Sequence, residues 1–121
     1  MAAETLYDKL GGEKGISAVV HEFYDRMIAD EKVRHYFTYT DLEKLREHQI
    51  TYFMSYALGG PHKYQGNTLR IAHKGLNISF EAYEIAIRHM NGALRKYNVP
   101  IDDRVTVEAF LRAVKPHIIN K

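Results

Sequence analysis

Polar side chains set into apolar helical faces are the first places to look for chemistry, because burial without a partner is costly. Gln49 lies four residues after Leu45, three before Tyr52 and four before Phe53, in the middle of an apolar stripe. A buried amide left unpaired costs ~1–3 kcal/mol. Either a core neighbour satisfies it or its helix faces a cavity. His48, three after Leu45, borders the same stripe, and the plain alternative for it is an edge position in water. Tyr24 follows Phe23 on the inner face of another helix, where a buried phenol needs an acceptor nearby. His73 sits on a short segment between Gly66 and Gly75, with Leu69, Ala72 and Leu76 around it. A segment of about two turns is a weak core element by itself. A neutral imidazole on such a segment is suited to hold an iron axially.

Other site classes fail quickly. There is no Gly-rich phosphate loop, no Gly-x-Ser-x-Gly elbow and no His-Glu-x-x-His. No two histidines are three or four apart and no Glu-x-x-His occurs, which excludes the usual helical zinc and di-iron patterns.

The elements that must position these residues read as helices. Thr5 precedes a short amphipathic stretch, Leu6 to Leu10, which Gly11-Gly12 stops. Apolar residues at Ile16, Val19, Val20, Phe23, Tyr24, Met27 and Ile28 follow a helical period. Thr40-Asp41-Leu42-Glu43 reads as a capping box with Thr40 as N-cap, opening a helix over 41–58 that Gly59-Gly60-Pro61 ends. Ser79 is expected to cap a long helix carrying Phe80, Tyr83, Ile87, Met90, Leu94 and Tyr97. Asp102 or Asp103 is expected to cap a last one, which Pro116 bends or ends. No segment alternates with period 2, so the fold class is all-α. Short connections favour antiparallel packing of 16–30 with 41–58, and of 79–97 with 102–118.

At 121 residues the chain is expected to form one domain, 1–121. Its 45% hydrophobic and 26% charged residues exclude a disordered or fibrous chain. No apolar run reaches the ~20 residues of a membrane span. No cationic-then-apolar leader is visible at the start, so a cytoplasmic protein is expected. The absence of cysteine excludes disulfides, thiol catalysis, zinc–thiolate sites and iron–sulfur clusters. A net charge of +2 is too balanced to imply nucleic acid as a partner.

The motifs Gly11-Gly12, Phe23-Tyr24, Tyr36-Phe37, His48-Gln49, Gly59-Gly60-Pro61, Tyr64-Gln65-Gly66 and Ala72-His73-Lys74-Gly75 follow one another from Gly11 to Gly75, within a resemblance that runs from Thr5 to Lys121. In that order and spacing the sequence resembles a group I truncated haemoglobin, with its two-over-two helical globin fold around haem b (iron protoporphyrin IX). The resemblance implies His73 as the proximal iron ligand and Tyr24 and Gln49 as distal hydrogen-bond donors. It implies Leu45 at the gate position, Phe37 against the porphyrin, and Phe23, Phe53, Leu69 and Tyr83 as pocket lining. Phe53 also matches a position that can gate an apolar gas tunnel. Lys44 and Tyr64 are the candidates for the haem propionates. Some cyanobacterial relatives carry a histidine at the position of His48 and coordinate the iron with it. His117 is similar to a histidine that other relatives bond to a haem vinyl, but it is displaced by about one helical turn, so no crosslink is expected.

The function implied is binding of O2, NO and CO, with oxidation of nitric oxide to nitrate and a separate reductase restoring ferrous iron. A monomer is expected. The alternatives are a six-coordinate bis-histidine protein for electron transfer or redox sensing, simple O2 storage, and a cofactor-free helical interaction module.

Overall fold

The computed structural model describes residues 5–50 and 77–119. Within them the backbone is helical apart from turns and one isolated parallel bridge, Ile78 to Ile119. Helix α1 spans Leu6–Lys9. Thr5 caps it reciprocally: its hydroxyl accepts the Asp8 N–H, and the Asp8 carboxylate accepts the Thr5 N–H. Gly11 and Gly12 both have positive φ, at 93° and 66°, which glycine alone adopts freely. The pair does more than stop α1, because α2 (Gly12–Ala29) begins at once, ahead of the first apolar residue of its stripe. Gly15 makes the corner feasible. A Cβ there would overlap the Leu10 carbonyl, so α1 meets α2 backbone to backbone.

Helix α2 buries Ile16, Val19, Val20, Tyr24 and Met27, the helical period read from sequence. Asp30 ends it and accepts the Lys32 N–H, and a turn with fully buried Val33 leads to a 3-10 turn, Arg34–Phe37. Helix α3 spans Leu42–His48. Its cap is Asp41, whose carboxylate accepts the Lys44 N–H at 3.2 Å, and not Thr40 as expected. The Thr40 hydroxyl instead donates back to the Tyr36 carbonyl, so Glu43 has no capping box to complete. At Gln49–Ile50 the winding widens to a π turn.

Helix α4 (Phe80–Lys96) is capped by Ser79 as expected, with the hydroxyl accepting the Ala82 N–H at 3.0 Å. It buries Ala82, Tyr83, Ile87, Met90, Ala93 and Leu94. Helix α5 (Ile101–Val114) starts directly after Pro100, one residue before the expected aspartate caps. Asp102 and Asp103 lie in its first turn, where they complement the positive end of the helix dipole. The helix ends at Val114, and Pro116 falls in a closing 3-10 turn, Lys115–His117.

The main packing is α2 on α4, with α5 laid against α4 as the sequence suggested. The expected partnership of α2 with the 41–58 segment is seen for α3, which touches α2, while residues 51–58 lie outside the described residues. Charged groups fix the helix positions at the rim. Glu22 on α2 accepts from Arg26 and from Lys96 of α4, each at 2.8 Å. His89 of α4 meets Asp30 at 2.8 Å, and Glu84 accepts from Arg112 and Lys115. These groups are partly exposed, so they set geometry more than stability.

Candidate functional site

Tyr24 lies at the centre of the site, one turn before the end of α2, where the helical period turns it inward. It is 6% exposed. Phe23 meets its ring edge-on at 4.9 Å between centroids, and Phe37, the last residue of the first 3-10 turn, does so at 5.9 Å. From the other side comes α3, whose Arg46 guanidinium stands 5.7 Å from the Tyr24 ring centre. Leu45 packs half-buried on the same core cluster, and Ile50 is part of it.

Burial pushes the Tyr24 phenol well above its ordinary value near 10, and the Arg46 charge offsets this only in part. The hydroxyl therefore stays protonated and able to donate. Among the described residues no hydrogen bond joins the Tyr24 hydroxyl or the Gln49 side-chain amide to another group. A donor on a buried residue, with no acceptor among the described residues and framed by two phenylalanine rings, fits the distal wall of a haem pocket. A partly charged ligand atom would satisfy it there. His48 adds a nitrogen of the right chemistry, since its Nε2 is sheltered from solvent although the ring is only half-buried overall. The residues present fit haem.

Tyr83 joins Tyr24 and Ile50 in one apolar cluster, but its hydroxyl donates to the Leu111 carbonyl of α5. Its polar atom is therefore already engaged. Lys44 is exposed in the first turn of α3. His73, Phe53, Leu69 and Tyr64 lie outside the described residues, as do His62 and the side chain of His117. The other histidines are surface groups with neighbours, as expected: His21 with Arg46, His35 against the Tyr36 ring, and His89 with Asp30. Arg46 was missed at the sequence level. Its signal was present, because it lies four after Leu42 and three before Gln49, a charge on the inward stripe.

The two buried phenols have a consequence for stability. Burial also raises Tyr83, with Glu84 adding to the rise and Arg112 opposing it. In the unfolded chain both ionise near 10, while in the folded chain they hold their protons to higher pH. Their contribution is intact below pH 10 and is lost as pH rises beyond it. The slope is about 1.4 kcal/mol per pH unit for each phenol. Urea midpoints measured from pH 9 to pH 11.5 should fall accordingly, and Tyr24→Phe should remove roughly half of the tyrosine-dependent slope. An unchanged slope in that variant would show that Tyr24 ionises alike in both states.

The Bacterial-like globin family model matches residues 5–120. The chain is 35% identical over 112 residues to a group 1 truncated haemoglobin of Mycolicibacterium paratuberculosis, covering 93% of this chain and 79% of that one. It is 38% identical over 96 residues to one from Tetrahymena pyriformis, covering 79% and 78%. Among solved structures, the Fe(III) form of the Tetrahymena pyriformis protein superposes with a TM-score of 0.89 at 30% identity, over 98% of this chain and 100% of that one. The 2/2 haemoglobin of Synechococcus sp. PCC 7002, in the cyanomet state with covalently attached haem, gives 0.84 at 30% identity over 94% of each. With its helical architecture and its haem-compatible pocket wall, this chain belongs to the group 1 truncated haemoglobins and has haem as its cofactor.

Proposed function

We propose that the protein holds O2 and other diatomic ligands against a distal face made by Tyr24 and Gln49, and that it oxidises nitric oxide to nitrate. The observation that carries this reading is the buried, protonated Tyr24 hydroxyl without a partner among the described residues. When bound, the haem supplies an iron that takes a diatomic ligand and changes between ferrous and ferric states. The chain's own residues do the rest. Tyr24 and Gln49 donate to the ligand's partly negative end, and such charge-assisted bonds are about twice as strong as neutral ones. Phe23, Phe37 and Leu45 keep water out, which strengthens those bonds. His73 is the proximal ligand in this reading, Phe53, Leu69 and Tyr83 complete the lining, and Lys44 and Tyr64 face the propionates. One nitric oxide, one O2 and one electron make one nitrate, and the electron comes from a reductase. Mixing oxygenated protein with equimolar nitric oxide tests the reaction. Stoichiometric nitrate is expected, and nitrite or unreacted nitric oxide as the main product would overturn it.

The sheltered Nε2 of His48 favours a second reading of the resting state, in which this imidazole occupies the sixth position until a ligand displaces it. Successive residues of an ideal helix point about 100° apart, so His48 and Gln49 cannot both face the iron squarely. The π turn at Gln49–Ile50 is where α3 departs from that ideal winding. In this second reading a low-spin ferrous spectrum becomes high-spin in His48→Leu. A wild type already high-spin would remove His48 from the coordination sphere.

A further inference from the structure

Arg46 of α3 reaches across to α2 with both terminal nitrogens of its guanidinium. Its Nη1 donates to His21 Nδ1 at 3.1 Å and to the His21 carbonyl at 3.2 Å. Its Nη2 donates to the Asp25 carboxylate at 2.9 Å, and the guanidinium carbon stands 5.7 Å from the Tyr24 ring centre. The guanidinium has no acceptor atom and stays charged, so His21 Nδ1 must accept and the His21 proton sits on Nε2. His21, Tyr24 and Asp25 are spaced i, i+3 and i+4 on α2, one patch on one turn. The side chain that spans this patch is only 16% exposed, against 64% for its Asp25 partner. On its own helix, Arg46 shares a stripe with Leu42 and Gln49.

We propose that Arg46 is a positioning residue for the distal pocket: it clamps α3 to the Tyr24 turn of α2 and so sets the Tyr24 hydroxyl and the Gln49 amide at a fixed separation. This rests on the reading of those two side chains as distal donors. The clamp needs a planar fork with several donors in fixed directions. A lysine ammonium at the same place is a single point charge and cannot reach His21 and Asp25 while covering the Tyr24 ring. Turning α3 about its axis, as His48 needs in order to approach the iron, drags the guanidinium off that ring. The same clamp therefore opposes the six-coordinate resting state.

The test uses the haem-loaded protein and its variants R46M, R46K, D25A, Y24F and R46M/Y24F. R46M is expected to speed O2 dissociation roughly three- to tenfold, and to shift or split the C–O stretching band of the CO complex. R46K should behave like R46M, and D25A should move both readouts in the same direction by less. In the Y24F background, R46M should change dissociation less than twofold. Backbone amides of α3 should exchange faster in R46M while those of α4 do not, which separates a lost clamp from general destabilisation. Full rescue by R46K, an unmoved C–O band in R46M, or an undiminished R46M effect in the Y24F background would each overturn the proposal. If R46M does not take up haem, D25A decides through the same two readouts, because Asp25 is largely exposed. Unchanged dissociation in Y24F overturns the donor reading and the clamp with it, whereas fast release in Y24F with unmoved R46M and D25A overturns the clamp alone.

Discussion

Replacing Tyr24 with phenylalanine is expected to speed O2 release roughly ten- to a hundredfold, the equivalent of losing one hydrogen bond to a charged group at ~1.5–3 kcal/mol. The ring stays in place, because its edge contacts with Phe23 and Phe37 do not involve the hydroxyl. Folding stability should hold or rise, since the oxygen removed has no partner among the described residues. A fast release with an unmoved urea midpoint is thus the signature of a functional donor, read by stopped-flow displacement of O2 with CO. Gln49→Leu should act in the same direction. The double variant should fall short of the product of the two effects if both donors bind one ligand atom through a shared network. Unchanged release in both single variants would leave the pocket without its proposed donors.

The second large effect concerns the corner between α1 and α2. Gly15→Ala is expected to lower stability by about 3 kcal/mol, although glycine-to-alanine inside a helix ordinarily gains up to ~1 kcal/mol. The new methyl would occupy the space of the Leu10 carbonyl, which is backbone and cannot rotate away. The cheaper response is for α1 to leave. What is then lost is the docking of Leu6, Tyr7 and Leu10, three partly buried side chains against the core, which bounds the loss near the stated figure. The exposed Lys9–Asp103 pair, at 3.8 Å, adds little. Urea unfolding measures the loss, and hydrogen exchange should show residues 6–12 opening alone. A gain in stability would mean that the corner tolerates a side chain.

The difference between these two residues shows what the sequence made legible. The inward period of α2 and α4 is a local, repeated signal, so the buried faces, the Ser79 cap and the odd polar residues Tyr24 and Gln49 could be read directly. Gly15 could not, because its requirement arises from a carbonyl on another element meeting it in space. The cap of α3 failed for a related reason. Thr40 and Asp41 are adjacent good caps, and the choice was made when Tyr36 offered the Thr40 hydroxyl an acceptor. The pairing of α2 with α4 was likewise hidden, since their facing residues are some sixty positions apart and nothing local links them. Arg46 stood on the inward stripe of α3, but its partners His21 and Asp25 lie on another helix, and only the fold brings them beside it.

Helix α3 supplies Leu45, Arg46 and His48 and leads into Gln49, yet none of its residues Leu42–His48 is buried, and the core rests on α2 and α4. Exchanges at sites outside the core usually alter stability by little, away from special contacts. Heritable variation can therefore accumulate on the distal face while the scaffold keeps its margin. If the proposed distal face is right, ligand preference can be retuned by a few exchanges in one short helix, provided that Arg46 is kept. A mutational library confined to positions 42–49 should accordingly retain folded members in far greater proportion than one spread over α2.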